Sequence, residues 1–271
     1  MDSTATSDRR TGSGAIFLSP HLDDAVLSCG GTIHRLVQAG KPVIVVSVMA
    51  GDPPPGELST FAKSLHTRWQ LPDNTVSKRR AEDKEALVDL GADWSHWPIP
   101  DCIYRRNDVS GEFLYASEDA LFGSINTFEK DLIHTLSRQL GALPHYDSVH
   151  VPLAAGAHVD HWLTRLAAER WLSPASLVYY EEYPYSRSEN QLATALGDLR
   201  EWRSHTVSLT PEDVDTRIRA ISRYQSQMST FFEDLADMAV QVQGYIKDVG
   251  GERFWTVPGQ ETSHTKAVGF F

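Results

Sequence analysis

Apolar and polar residues follow two rhythms along most of the chain, and their alternation reads as strand, turn, helix, repeated. Ala15-Ile16-Phe17-Leu18 is an uninterrupted apolar run, the pattern of a short strand buried on both faces. From Ala25 to Leu36 apolar side chains return at helical spacing. Val43-Ile44-Val45-Val46-Ser47-Val48, entered through Gly40-Lys41-Pro42, predicts a second buried strand. Strand, helix, strand at this spacing is a βαβ unit with a right-handed crossover. Val76, Ala81, Ala86, Leu87 and Leu90 predict a helix over residues 75–90, stopped by Gly91. A third strand is expected over 94–100, a helix over 117–139, a fourth strand over 146–153, a helix ending at Trp171, and a strand over 176–180. From about Ser186 the alternation weakens. Thr210-Pro211 starts a helix that runs to about Ser226, a second spans 231–249, and residues 252–257 are a candidate returning strand. The pattern predicts an α/β fold with a mostly parallel sheet flanked by helices and a helical C-terminal part. Residues 51–74 form a long break with some helical content, readable as a lid or as a surface insertion.

Two of the strand-to-helix turns carry chemistry. The first strand runs into Ser19-Pro20-His21-Leu22-Asp23-Asp24. The fourth runs into Ala154-Ala155-Gly156-Ala157-His158-Val159-Asp160-His161. In an open parallel sheet such turns lie at the carboxyl ends of the strands, where ligands bind. Adjacent carboxylates at a strand tip cost repulsion and desolvation, and a divalent cation is the simplest compensation. His21 and Asp24 are three apart, as are His158 and His161, so each pair shares a face of a helical first turn. Three imidazole and carboxylate ligands with one open position match a catalytic zinc site, and a spare carboxylate beside it can take a proton from water. Each residue alone reads more blandly, Asp24 as an N-cap and His158 as a loop histidine. Two clusters at equivalent points of the alternation favour the metal.

The totals narrow the function class. The chain of 271 residues carries 25 Lys and Arg against 36 Asp and Glu, a net charge of −11, which argues against nucleic-acid or anionic-membrane partners. No stretch is long and apolar enough for a membrane span. Cys29 and Cys102 are expected to be free thiols in a reducing cytoplasm. Residues 1–13 are small and polar and read as a disordered tail, not a signal peptide, leaving 14–271 as one domain.

The Ser-Pro-His-Leu-Asp-Asp segment resembles the amino-terminal signature of the PIG-L/LmbE-like zinc deacetylases, and His158-Val159-Asp160-His161 resembles their second signature. Arg79-x-x-Glu82 with Ala86 and Leu90-Gly91, and Tyr224-Gln225-Ser226-Gln227, resemble further shared segments, so the likeness spans roughly residues 14–257. The resemblance implies a Rossmann-like fold and hydrolysis of an N-acetyl group from an amino sugar or glycosylated metabolite. It implies His21, Asp24 and His161 as ligands to one zinc ion or another first-row divalent ion, and Asp23 as general base. His158 would stabilise the oxyanion or protonate the leaving amine, with Asp160 orienting it and raising its pKa. The implied partner is a small-molecule or glycoconjugate substrate.

This chain departs from the family pattern at three points. Leu22 stands where the family often has Pro, and Ala25 where it often has an acid; neither is a ligand. Gly156 stands where thiol-cofactor deacetylases often carry Tyr, which counts against an amidase acting on a mycothiol-type conjugate. A magnesium-dependent phosphohydrolase is disfavoured by the histidines of the second cluster, which suit a softer ion. A non-catalytic ligand-binding module is disfavoured by Asp23, a spare base that such a module does not need. Candidate substrate contacts are Arg79, Asp101 and Tyr183, the last read together with Tyr185 as an apolar wall for a sugar ring. Each also has a purely structural reading: a helix-surface salt bridge of Arg79 with Glu82 or Asp83, a turn cap at Asp101, and a core or interface place for Tyr183.

Overall fold

A computed structural model describes residues 14–71 and 74–259. The tail expected over residues 1–13 lies outside them. In chain order the elements are β1 (Ala15–Ser19), α1 (Asp24–Gln38), β2 (Val43–Ser47), α2 (Thr60–Arg68), α3 (Thr75–Leu90), β3 (Asp93–His96), α4 (Glu118–Leu121), α5 (Lys130–Gly141), β4 (Ser148–Pro152), α6 (Val159–Trp171), β5 (Val178–Tyr180), α7 (Glu189–Leu196), β6 (Arg203–Val207), α8 (Pro211–Ile221), α9 (Gln225–Phe231), α10 (Leu235–Val249) and β7 (Glu252–Thr256). Strand order across the sheet is β3-β2-β1-β4-β5-β7-β6. The first five are parallel; β7 runs antiparallel to both β5 and β6.

β1 explains why the sheet is buried on both sides. Its side chains alternate between faces, so Ala15 and Phe17 enter one core with α1 and α3 residues, while Ile16 and Leu18 enter the other with α5 and α6 residues. The chain travels outward from β1 to β3, then returns to place β4 on the other flank of β1, pairing Ala15 with Ser148 and Phe17 with His150. The strand order therefore reverses between β1 and β4, and the crevice at that point lies beyond the carboxyl ends of both.

The structure redraws several expected boundaries. The helix expected over 117–139 is two. α4 ends at Phe122-Gly123, and a single 3-10 turn at Thr127–Glu129, capped by Asn126, precedes α5. The helix expected to reach Ser226 ends at Ile221, with α9 beginning at Gln225. The helix expected from Phe231 starts at Leu235, where Asp234 accepts from the Ala236 and Asp237 N–H groups. Residues 51–74 hold α2, whose Ala62 and Leu65, with Trp69, pack into a third apolar cluster with Leu22 and Val159 beneath the crevice. β6 is an edge strand whose Arg-Ser-His-Thr-Val sequence shows no apolar alternation. Among the described residues no helix is long and apolar enough to cross a membrane.

One buried ion pair ties the C-terminal part to α1. Arg217 of α8 is fully buried, 3.1 Å from Glu252 at the start of β7. Glu252 accepts the N–H groups of Gly31 and Thr32 in the middle of α1 (2.9 and 2.7 Å), and Arg217 donates to the Leu27 carbonyl one turn earlier. Gly30 makes room for it, since a Cβ there would lie 2.9 Å from Arg217 Cγ. Glu252→Ala leaves the guanidinium buried without its counter-charge, and is expected to cost about 3–5 kcal/mol of stability in urea denaturation.

Candidate active site

His21, Asp23 and Asp24 enter the crevice from the turn after β1, and His158, Asp160 and His161 from the turn after β4. The adjacency of the two strands brings both clusters together. Asp24 Oδ2 lies 3.3 Å from His21 Nδ1 and 3.3 Å from His161 Nε2. A tetrahedral ion with bonds of ~2.0–2.1 Å separates its ligand atoms by about 3.3–3.4 Å. The two separations about Asp24, and the mix of two imidazoles and one carboxylate, thus fit a divalent ion such as zinc; ligand atoms of His21, His158 and His161 also lie within 4.8 Å of one another.

The outer nitrogens of the two histidines make the same fit. His21 Nε2 donates to Asp160 Oδ2 (3.1 Å), and His161 Nδ1 donates to Glu182 Oε1 (3.0 Å). A carboxylate on the far nitrogen fixes tautomer and ring angle and turns the other nitrogen's lone pair inward. Both carboxylates are themselves held. Asp160 accepts from Arg105 Nη2 (2.6 Å) and the Cys102 N–H (3.0 Å); Glu182 accepts from the Ala154 and Ala155 N–H groups (2.6 and 3.2 Å). Arg105 is held in turn by Glu129 and the Pro100 carbonyl. Glu182 and Arg105 are not among the sequence candidates. The only signal for Glu182 is an acidic pair just past β5; Arg105 lies in a loop with no pattern.

This corrects the expected role of Asp160. Its carboxylate turns to His21, and it meets His158 through its backbone N–H, which donates to His158 Nδ1 (3.2 Å). His158 is the N-cap of α6, so the bland and the chemical readings hold together: Nδ1 caps the helix and Nε2 is left to carry the proton. Nor is the His158 pKa raised. Burial, then the fields of His21 and His161, hold it well below the ordinary value, outweighing Asp160 and keeping the ring neutral.

The other charges follow from burial among carboxylates. Burial pulls His21 and His161 down, but Asp101, Asp160 and Asp24 push His21 well up, and Asp24 with Glu182 lifts His161 to about 9. The same histidines hold Asp24 well below the carboxylate range despite its burial. Asp23 is the opposite case: burial and the Asp24 charge push it up to about 7, against the pull of Arg79 and His21. Asp23 stands at the N-cap position of α1 with no capping hydrogen bond from its side chain, and Asp24, which alone reads as an N-cap, is the first residue of the helix instead. Its nearest cation is Arg79 Nη2, at 3.7 Å.

Arg79 and Asp101 form one wall. Arg79 stacks over the Trp69 ring (4.8 Å) and lies 3.9 Å from Asp101 Oδ2. It does not pair with Glu82 or Asp83: Glu82 accepts from Ser226, and Asp83 from Ser47, His96 and Tyr224. Asp101 does two things. Oδ1 caps the turn at the Ile103 N–H (3.2 Å), while Oδ2 faces His21 and Arg79 at 3.9 Å each. The expectation for Tyr183 is overturned. It is 1% exposed in the core, stacked on Phe232 and packed against Tyr245, because its ring points away from the crevice; Tyr185 takes the expected place, edge-on to His161 at 5.8 Å. Cys29 and Cys102 are buried free thiols, and burial raises the pKa of both.

Comparison with known proteins gives a consistent set. A family model described as PIG-L, GlcNAc-PI de-N-acetylase, matches residues 16–172, a span that includes both clusters. A 2'-N-acetylparomamine deacetylase from Niallia circulans is 28% identical over 257 residues, covering 89% of each chain. A teicoplanin deacetylase crystallised in a zinc-inhibited form is 29% identical, with a TM-score of 0.75 over 93% of this chain and 100% of that one. The deacetylase of A40926 pseudoaglycone is 26% identical, with a TM-score of 0.65 over 90% of this chain and 97% of its own.

The pairing of His161 with Glu182 has a direct consequence. Glu182→Gln is expected to weaken uptake of a divalent ion at these donors by about 10–100-fold in a chelator-competition titration, with His21, Asp24 and His161 left intact.

Proposed function

The chain belongs to the PIG-L, GlcNAc-PI de-N-acetylase family, and on that footing we propose that it is a zinc-dependent N-deacetylase that releases acetate and a free amine from an N-acetylated amino sugar or glycosylated metabolite. The observation that carries this reading is Asp24 Oδ2 standing 3.3 Å from both His21 Nδ1 and His161 Nε2, beside a carboxyl poised near neutrality. The names of the relatives, deacetylases of an acetylated aminoglycoside and of glycopeptide antibiotics, support the substrate class.

His21, Asp24 and His161 are the residues that would hold the ion. A divalent ion there supplies Lewis acidity at the acyl oxygen and a more acidic water. The rest of the chemistry falls to the chain's own groups. Asp23 takes the proton of the attacking water; a carboxyl near neutrality both accepts that proton and gives it up later. His158, neutral with Nδ1 accepting the Asp160 N–H, presents Nε2–H to the acyl oxygen as charge builds on it, and the proton that Asp23 took from water passes to the departing nitrogen. Asp160 acts on His21, and Arg105 keeps Asp160 ionised. Arg79, stacked on Trp69, and Asp101 Oδ2 offer a donor and an acceptor for the hydroxyls of a sugar ring. Residues 14–271 form one such deacetylase domain in this reading.

A binding module without chemistry is less well supported. Asp23 accepts no hydrogen bond among the described residues, so a role confined to holding a ligand leaves its cost unexplained.

Two measurements test the proposal together. Elemental analysis of protein purified without added metal is expected to give about one zinc per chain. Acetate release from a panel of N-acetylglucosaminyl compounds is expected to fall by about 10²–10⁴-fold in Asp23→Asn while zinc content stays unchanged. Retained turnover in that variant removes Asp23 from the base role, and failure to take up metal removes the ligand assignment.

A further inference from the structure

Exposure rises steeply from the floor of the site to its rim. His161 is 1% exposed and Asp23 5%, whereas Phe122, at the end of α4, is 40% exposed. Phe122 is nonetheless no stray surface residue. Its ring stands edge-on to His158, with centroids 5.5 Å apart, and edge-on to Tyr185 at 6.3 Å. Tyr185 in turn is edge-on to His161 at 5.8 Å. The rings make a continuous arc from His161 over Tyr185 and Phe122 back to His158. Arg79 and Asp101, 3.9 Å apart and beside Asp23 and His21, make the charged part of the site.

The arc is built by a local exception in the second turn. Gly156 has φ +88°, and a Cβ on it would lie 2.8 Å from both Cγ and Cδ1 of the Tyr185 ring. Its bare backbone lets that ring lie flat against the turn and carries the aromatic surface outward to Phe122. Tyr185 Oη has no hydrogen-bond partner among the described residues, so the phenol is available to a ligand. Phe122 thus presents an aromatic edge at the mouth of the cleft while its ring touches both His158 and Tyr185.

We propose that Phe122 and Tyr185 form the outer acceptor wall of the site and select N-acetylated amino-sugar glycosides that carry an aromatic aglycone. The proposal rests on the deacetylase reading of the site. The amide carbon must reach the floor, between Asp23 and His158. The sugar hydroxyls then meet Arg79 and Asp101. Whatever the sugar carries toward solvent passes Phe122. Edges and faces of aromatic rings favour another aromatic ring in offset or edge-to-face contact, and a free amino sugar ends before the rim.

The test compares methyl and phenyl N-acetylglucosaminides in steady-state kinetics with the wild type, Phe122→Ala and Phe122→Trp. The wild type is expected to favour the phenyl glycoside by about tenfold in kcat/KM, chiefly through KM. Phe122→Ala is expected to bring that ratio close to one, and Phe122→Trp to keep it. A wild-type ratio near one, or a preference that survives Phe122→Ala, overturns the proposal. Calorimetric binding of the matching deacetylated methyl and phenyl glucosaminides reads the same preference without turnover. If no glycoside is hydrolysed but the binding preference is present and vanishes in Phe122→Ala, the deacetylase reading fails and the aromatic wall stands. If the binding preference is absent as well, both fail.

Discussion

Negative charge buried at the tips of β1 and β4 is the constraint the rest of this structure answers. Asp23, Asp24, Asp101, Asp160 and Glu182 crowd into a crevice from which water is largely excluded, and an ionised carboxylate there is stable only opposite donors or positive charge. The protein supplies part of the answer. Arg105 lies on Asp160, Arg79 lies between Asp23 and Asp101, and backbone N–H groups point at Glu182 and Asp160. What these leave over appears in the histidines, whose basicity is driven up by carboxylates against the pull of burial. A divalent cation between them meets the same need with one centre. The site is thus arranged for a cation by its charge as well as by its three converging donors.

Holding such a site takes a scaffold that resists the repulsion. Two apolar cores grip β1 from both faces, so the turn that follows it cannot recoil without disturbing both. α1, which carries Asp24 on its first turn, is pinned one turn later by Arg217 and two turns later by Glu252, reaching in from α8 and β7. The helical C-terminal part therefore lies far from the site in sequence, yet it anchors the helix the site depends on. The paired glycines of α1 have the same explanation. A side chain at Gly30 would strike Arg217, and one at Gly31 would strike Leu209 and Glu252.

The parts of this arrangement legible in the sequence are those that obey local rules. β1, β2, β4 and α3 announce themselves by unbroken apolar runs or helical spacing, and the two clusters by their place in the strand-turn-helix rhythm. β6 does not, because an edge strand half open to solvent has no need of apolar alternation. The split of 117–139 is hidden because Phe122 and Ile125 continue the apolar spacing across the break at Gly123-Ser124. Among site residues, those that share a turn with a ligand are visible in the sequence, as are Asp101 at the end of an expected strand and Arg79 in a segment of family resemblance; the others that arrive from elsewhere are not. Glu182, Arg105 and Phe122 come from separate loops, and only the fold sets them beside the histidines. Tyr183 misleads for another reason. Tyr183 and Tyr185 are alike in sequence context, and only the path of the loop past β5 decides which of them reaches the crevice.

Hydrogen bonding separates the carboxylates of the crevice by task. Asp24 accepts from the His21 N–H, Asp101 from the Ile103 N–H, Asp160 from Arg105 and Cys102, and Glu182 from two backbone amides. Each is fixed in direction, as a ligand or an orienting group must be. Asp23 accepts no hydrogen bond from any described residue, and its nearest guanidinium nitrogen stands off at 3.7 Å. A buried carboxyl without donors is costly, and nothing in the packing of the turn demands one there. Burial and then the Asp24 charge raise its pKa, and no hydrogen bond pulls it back. A group meant to pick up and release a proton gains from that condition, because every hydrogen bond to the carboxylate would lower its pKa and weaken it as a base. The turn after β1 thus places side by side a carboxylate held to bind and a carboxyl left free to react.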